Sequence, residues 1–490
     1  MRKQIECIMN NVKWIMVRGK KIRTAFYTVF IIHYSLTISA QDTTRVFSFA
    51  DFSDLIMASH PIVRQAGLLS EEARQEVLQA RGAFDPKLSS GFDEKTFGGK
   101  HYFNTWANEL KVPVMPAGVD LKVFYDRFRG DFVNRSQITP NSGLAGVGIT
   151  VPIGQGLLID ARRATLQQAQ LMVNEAEAER VKQINKVWFS AAKDYWNWYM
   201  AFQRTRLLQE GFDLADTRFR ALRQRALIGD AAVIDTVEAQ ITVQDRQVQL
   251  EQALVELRNT RLILSTYLWS QDGQPLELPE RAVPQQAALS SLSGETVQRL
   301  VDRAGERHPD LIKLDVKIQQ LSVEERFRRE MLKPQLNLSA NLLTQAPMFS
   351  PEVPDYRAFG VNNRKIGVDF VFPLFLRKER GKLRQVQIKS QQTGLERQQV
   401  RRDVINGVYA VHNDMLALER QIVVQDQAVR NQRRLLNAEQ QKFEIGESSL
   451  FLVNSRETKL IDMEIKLEEI RSKYQKAVAE LYYAAGTTTI

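Results

Sequence analysis

The residue types that most often carry catalysis or bind metals are scarce in this chain. It has one Cys and five His among 490 residues, which excludes a disulfide framework and a Cys-based zinc or iron–sulfur site. His60 and His308 each precede a proline, and this recurrence predicts two helix caps instead of a catalytic base. The sequence contains no phosphate-binding loop after a strand and no Gly-x-Ser-x-Gly or His-Glu-x-x-His motif. We therefore predict no enzyme activity, no cofactor and no metal.

The net charge of +10 is concentrated near the N-terminus. Residues 1–40 hold seven basic residues and one acidic residue, which leaves only +4 on residues 41–490. A surplus of this size does not indicate nucleic acid as a partner.

Residues 1–40 have the pattern of a secretory signal peptide. A basic segment at 18–23 precedes an apolar run at 24–38, and the small residues Ser39 and Ala40 follow. Either Met1 or Met16 could be the start, and an uncleaved anchor is the alternative. The rest of the sequence has no run of about 18 apolar residues, so contact with a membrane would have to use β-strands.

The elements that position the remaining residues occur twice, in the same order. The distance between copies falls from 248 to 217 residues, and the first copy is 27 residues longer between its second and third landmarks. The matching landmarks are His60-Pro61 and His308-Pro309, Pro86 and Pro334, Val151-Pro152-Ile153 and Phe372-Pro373-Leu374, and Ile228-Gly229-Asp230 and Ile445-Gly446-Glu447.

Each copy is predicted to contain a short helix, alternating strands, a very long helix and a return helix. The predicted first repeat, 41–269, has strands at about 87–152, a long helix at about 156–227 and a return helix at about 231–268. A polar, proline-broken linker at 270–294 follows. The predicted second repeat, 295–490, has strands at about 335–373, a long helix at about 377–445 and a return helix at about 448–485.

The return helices carry apolar rows on two sides. Leu250 and Leu257 belong to one heptad row of the first copy, and Val453, Leu460 and Leu467 belong to the corresponding row of the second. A further row lies on a different side of the first return helix: Ile234, Ile241, Val248, Val255 and Leu262. Apolar rows on two flanks predict neighbours on two flanks, as in the wall of a cylinder.

An aromatic cluster lies midway along the first long helix: Trp188, Tyr195, Trp196, Trp198, Tyr199 and Phe202. It could stack on a ligand or pack in a helical core, and we predict packing.

Together these features resemble the TolC-like outer-membrane efflux and secretion channels. The resemblance rests on the signal peptide, the duplicated unit, the strands after Pro86 and Pro334, the strand-to-helix sequences at 151–154 and 372–375, and the two Ile-Gly turns. It covers residues 47–486.

The resemblance implies a mainly α fold with a membrane β-barrel, built from a duplicated strand-strand-long-helix hairpin. Three copies would each give four strands to a 12-stranded barrel in the outer membrane, continued by an α-helical tunnel across the periplasm. The implied function is a passive export duct of a tripartite efflux or type I secretion system. Its implied partners are outer-membrane lipid, a periplasmic adaptor protein and an inner-membrane transporter of the RND or ABC type.

The resemblance also assigns roles to the residues at the two turns. Ile228, Gly229, Asp230, Ile445, Gly446 and Glu447 would dock the adaptor at the periplasmic tip. Candidate entrance or gate residues are Asp235, Glu238 and Ser455, where some members carry Asp at the positions of the last two. Family members often carry Asp six residues after the turn glycine. Asp235 matches this position in the first copy, whereas Leu452 replaces it in the second. An acidic entrance ring would therefore depend on Glu238 alone.

Residues 100–140 depart from the minimal plan of the family. Two strand-like stretches at 109–114 and 119–128 flank the turn at 115–118, which predicts an additional hairpin. The hairpin could be an external cap or an extension of the barrel strands. The alternative for the whole chain is a periplasmic adaptor, which also carries long helical hairpins.

Overall fold

The structure is a computed structural model that describes residues 46–289, 291–345 and 362–488. The predicted signal peptide and Cys7 lie outside these residues. The described chain divides into a small unit, Val46–Phe47 with Pro279–Val283, and a large unit that contains the remaining residues. Strand β1 (Val46–Phe47) forms a two-stranded sheet with β6 (Val283–Pro284).

The large unit contains eight α-helices within the described residues, four from each half of the chain. They are α1 (Phe49–Ser59), α2 (Pro61–Arg81), α3 (Ala161–Leu227), α4 (Val233–Ser265), α5 (Gly294–Arg307), α6 (Pro309–Glu330), α7 (Arg377–Glu444) and α8 (Leu450–Ala484). The two halves of the chain therefore contain the same series of four helices.

His60 and His308 act as helix caps, as predicted. The Nδ1 atom of His60 accepts a hydrogen bond from the Ile62 amide at 3.2 Å, and Nδ1 of His308 accepts one from the Asp310 amide at 3.2 Å. Each histidine ends one helix and begins the next. The helices before them, α1 and α5, were not predicted.

The long helices have nearly the predicted lengths. Helix α3 has 67 residues and α7 has 68, so each is about 100 Å long. Helix α3 begins at Ala161 and not near residue 156. Gly156 has a positive φ of 94°, and the Asp160 carboxylate caps the helix by accepting from the Arg163 amide at 2.9 Å.

The contacts between helices group them into four columns. Helix α3 contacts α2, α4, α6 and α8, helix α7 packs against α6 and α8, and α4 also touches α8. The columns are therefore α2 with α4, then α3, then α6 with α8, then α7. The predicted heptad row of α8 is buried, with Val453, Leu460 and Leu467 each less than 9% exposed, and it packs with buried residues of α7.

The predicted aromatic cluster packs in a core. Tyr195, Trp198 and Tyr199 have no exposed surface, and Tyr195 stacks on Phe52 of α1 with ring centroids 5.7 Å apart. The Tyr199 hydroxyl donates a hydrogen bond to the Glu468 carboxylate of α8. The prediction of packing is confirmed.

A six-stranded antiparallel sheet precedes the long helices, whereas the resemblance implied four strands. The strands are β2 (Lys87–Phe97), β3 (Lys100–Pro113), β4 (Asp120–Arg129), β5 (Leu144–Pro152), β7 (Gln335–Gln345) and β8 (Arg364–Val371). Their order in the sheet is β2-β3-β4-β5-β7-β8, so the two halves meet between β5 and β7. The 100–140 segment supplies all of β3 and β4, which lie inside the sheet.

Candidate gate and docking site at the helical tip

The two hairpin turns have the same backbone geometry. Gly229 has φ of 80° and Gly446 has φ of 79°, values that favour glycine because a Cβ atom is strained there. The amide of Asp230 donates to the Arg225 carbonyl at 2.9 Å, and the amide of Glu447 donates to the Lys442 carbonyl at 2.8 Å. In each turn the donating amide lies five residues after the accepting carbonyl. The bond satisfies one of the last carbonyls of the long helix.

The tips expose apolar side chains to solvent. Ile228 is 80% exposed and Ile445 is 71% exposed, and Val233 and Phe451 at the starts of the return helices are also exposed. Exposed apolar clusters of this kind indicate surfaces that bind a partner. The Asp230 carboxylate is in addition paired with the Arg225 side chain at 2.8 Å.

Two of the three predicted gate residues share a cavity. Glu238 of α4 and Ser455 of α8 both line a cavity of about 350 Å³ between these helices, together with Asp245 and Asn454. Asp235 does not line this cavity. It lies in the first turn of α4, where the helix dipole favours a carboxylate.

A buried ion network borders the same cavity and was not predicted. Glu457 of α8 accepts from Arg246 of α4 at 2.8 Å and from Arg218 of α3 at 3.0 Å. The side chains of Glu457, Arg246 and Arg218 are 3%, 6% and 19% exposed. Arg246 also donates to the Gly211 carbonyl at 2.6 Å, and Arg218 donates to the Asn454 side chain at 2.7 Å. The network thus joins three helices and both repeats.

The sequence held one signal for this network. Arg246 interrupts a heptad row whose other members, Ala239 and Ala253, are buried. A charged residue in a buried row requires a partner, because an unpaired buried charge is very unfavourable. Nothing in the sequence identified Glu457, 211 residues away, as that partner.

At the other end of the large unit, the part of the sheet nearest the helices carries an apolar row on one face and a polar row on the other. Paired positions form an apolar row across neighbouring strands: Leu88, Leu110, Val123, Val147 and Leu342. All five side chains are more than a third exposed. The adjacent row on the opposite face is polar and contains Lys87, Lys111, Lys122, Gly148, Asn341 and Lys365.

Two apolar stripes also remain uncovered on the helical columns. On α4 the row predicted from the sequence is exposed, with Ile241 at 54% and Val248 at 58%. On α7 a second row at heptad spacing, Tyr409, Leu416 and Val423, is 42%, 41% and 63% exposed. These stripes lie on the two outermost columns of the chain.

No helix within the described residues is both long and apolar enough to cross a membrane. Across the same residues, no three His, Cys, Asp or Glu side chains come together in a way that could hold a metal ion.

Comparison with known proteins gives one family match and a consistent set of structural neighbours. Residues 300–487 match the family described as outer membrane efflux protein. No match was found among curated proteins.

Three of the structural neighbours are described as outer-membrane proteins or channels. The open-state MtrE outer membrane channel of Neisseria gonorrhoeae is 14% identical, with a TM-score of 0.66 over 90% of this chain and 89% of that chain. The outer membrane protein VceC of Vibrio cholerae is 16% identical, with a TM-score of 0.62 over 90% of this chain and 96% of that chain. The CmeC outer membrane channel of Campylobacter jejuni is 14% identical, with a TM-score of 0.60 over 89% of this chain and 85% of that chain. The resemblance to TolC-like outer-membrane channels is therefore confirmed, by sequence over residues 300–487 and by fold over about nine tenths of the chain.

Proposed function

We propose that this chain is the outer-membrane channel of a tripartite efflux or type I secretion system. The observation that carries the proposal is the exposed apolar face of the six-stranded sheet, from which helices about 100 Å long extend to an exposed apolar tip. In water such a face would be a large uncovered apolar surface, whereas in a bilayer it would contact lipid. The opposite, polar face would line a water-filled passage.

The apolar stripes on the outermost columns support a homo-oligomer. The stripe on α4 and the stripe on α7 are different surfaces, so contact between copies would be head-to-tail and would close into a ring. With four columns per copy, three copies would make a tunnel wall of 12 helices. Homotrimers are therefore the proposed assembly.

A charge placed on one stripe would test the ring. Val248→Lys would bury three ammonium groups at the copy-to-copy contacts, and we expect it to dissociate the trimer. Gln247→Lys, at an exposed position next in the chain but off the stripe, is the matched control and should leave the trimer intact. If Val248→Lys remains trimeric, the stripe does not form the contact.

The turns at 228–230 and 445–447 are the proposed docking site for a periplasmic adaptor, which would link the channel to an RND or ABC transporter. Ile228→Ser and Ile445→Ser change only exposed side chains, so the trimer should form normally while export of toxic compounds fails in a complementation assay. Full export with both substitutions would refute docking through these residues.

The proposed gate lies beside the cavity between α4 and α8. Glu238 of three copies would form an acidic ring at the tunnel entrance, which would bind multivalent cations. Glu238→Ala should weaken cation block of the channel in planar bilayers, whereas Ser455→Ala, which removes no charge, should not. Unchanged block in Glu238→Ala would exclude the ring.

The location and mass of the protein test the proposal as a whole. We expect the mature protein in the outer-membrane fraction, with a detergent-corrected mass of three chains. A soluble periplasmic monomer would refute the channel and favour the alternative function of a periplasmic adaptor. The comparisons give no support to that alternative.

A further inference from the structure

The structure carries two strands more than the four per copy that the resemblance implied. They form the β3–β4 hairpin, which lies between β2 and β5 in the sheet order. A hairpin folded away from the sheet as an external cap would instead have left β2 paired with β5.

The inserted strands are long enough to cross a bilayer. Strands β3 and β4 have 14 and 10 residues, against the about 9–11 residues that a tilted spanning strand needs. The turn between them lies at the helical end of the sheet, because Asp120 at the start of β4 pairs with Arg162 of α3 at 2.9 Å. The hairpin therefore runs the full height of the sheet.

Near the helical end of the sheet, the faces of the inserted strands also continue those of their neighbours. Further along, the face that carries Val123 also holds Asn108 of β3 and Arg127 of β4. On the apolar face, Leu121 pairs with Ile149 of β5 and Val123 pairs with Val147. On the polar face, Lys111 and Lys122 are directly opposite one another. Adjacent lysines repel each other, so this arrangement is compatible with a water-filled passage and not with lipid.

The edges of the sheet remain to be paired. Within the described residues, β2 and β8 each have a partner strand on one side only, and unpaired backbone groups are very unfavourable in lipid. Six alternating strands leave these two edges antiparallel, so β2 of one copy can pair with β8 of the next.

We propose that all six strands of each copy enter the membrane wall, so that three copies close an 18-stranded barrel. This inference rests on the proposed trimeric channel. With strands about 4.8 Å apart and tilted by about 40°, 18 strands have a perimeter of about 110 Å and 12 strands about 75 Å. Twelve helices about 9 Å apart also have a perimeter of about 110 Å. The wider barrel therefore matches the helical tunnel without a taper, and its lumen is wide enough for an aqueous channel.

Single cysteines on adjacent residues test whether the hairpin contacts lipid. In a Cys7→Ser background, Val123→Cys and Lys122→Cys lie on opposite faces of β4. Leu338→Cys and Asn337→Cys are the matched pair on β7, a strand that both barrel sizes include. Val123 and Leu338 are the more exposed member of each pair in the isolated protomer, so in the absence of a bilayer they should react faster with a charged thiol reagent.

In lipid vesicles we expect the order to invert at both strands. Val123→Cys and Leu338→Cys should react at least about tenfold more slowly than their partners, because a thiol in an apolar environment forms little thiolate. If Val123→Cys reacts as fast as Lys122→Cys while Leu338→Cys is protected, the hairpin lies outside the membrane and the 18-stranded barrel is refuted, with the channel itself retained. If Leu338→Cys also reacts freely, the membrane assignment fails and the barrel fails with it.

Discussion

Replacing Glu457 by Gln is expected to loosen the helical tip, because Glu457 is the only acidic member of a buried network with two arginines. Its carboxylate is 3% exposed and pairs with Arg246 at 2.8 Å and with Arg218 at 3.0 Å. Removing one partner of a buried ion pair typically costs about 3–5 kcal/mol. Arg246 keeps its bond to the Gly211 carbonyl, and the Gln side chain still accepts a hydrogen bond. We therefore expect a loss near the lower end, about 3 kcal/mol.

The matched control is an exposed ion pair between two of the same helices. Arg204 of α3 and Glu256 of α4 are 3.1 Å apart, with side chains 42% and 47% exposed. Exposed pairs contribute at most about 1 kcal/mol because water and salt screen them. Glu256→Gln makes the same chemical change as Glu457→Gln, so the difference between them reports burial.

Hydrogen exchange of the detergent-solubilised protein, followed by mass spectrometry, measures this loss locally. A loss of about 3 kcal/mol corresponds to exchange about 100-fold faster in peptides covering residues 450–465. Peptides covering 475–484, at the far end of α8, should be unchanged. A change of less than about threefold in Glu457→Gln would show that the network contributes no more than an exposed pair. The triple variant Arg218→Met, Arg246→Met and Glu457→Leu should regain protection, because apolar side chains of similar size can replace a whole buried group of ions.

Three further predictions concern the caps, the aromatic core and the turns. Burial lowers the pKa of His60 and of His308 below 6.5; the neutral rings stabilise fully above pH 6.5 and progressively less as the pH falls below it. The thermal midpoint of the wild type should therefore decrease when the pH is lowered from 7 to 5. The decrease should be smaller in the His60→Asn, His308→Asn variant, because Asn can cap a helix but does not titrate. Equal decreases in the two proteins would contradict the assignment. Tyr199→Phe removes the hydroxyl that donates to Glu468 in the core. We expect it to lower the free energy of unfolding, measured by hydrogen exchange, by about 1–2 kcal/mol. Tyr483→Phe changes a half-buried ring and should leave this free energy nearly unchanged. Gly229→Ala should destabilise its turn by about 1 kcal/mol because φ is positive there. Gly381→Ala lies inside α7, where a Cβ atom meets no other atom within 4 Å, and it should stabilise the helix by about 1 kcal/mol. Stability changes of the same sign in both variants would refute the backbone argument.

Local features of the fold could be predicted from the sequence because they depend on neighbouring residues. Gly229 and Gly446 end the long helices within one residue of the predicted positions, since a positive φ is a property of the turn itself. The heptad row of α8 is buried as predicted, since helical period and side-chain type suffice to define an apolar face. The predicted start of α3 was about five residues too early. Gly156 has a positive φ, and the Asp160 carboxylate caps the helix, so the chain becomes helical only after residue 160.

Only the tertiary structure decided which distant residues meet. Strand alternation tells which side chains share a face but not which strands are neighbours. For this reason the pairing of β5 with β7 and the place of the β3–β4 hairpin inside the sheet could not be read from the pattern. The sequence likewise showed that Arg246 needed a partner, but Glu457 lies 211 residues away in the other repeat, and only the packing of α3, α4 and α8 brings the charges together. The repeat and the ends of its elements were thus determined by the sequence itself, and the sheet order and the ion network by contacts between the two halves.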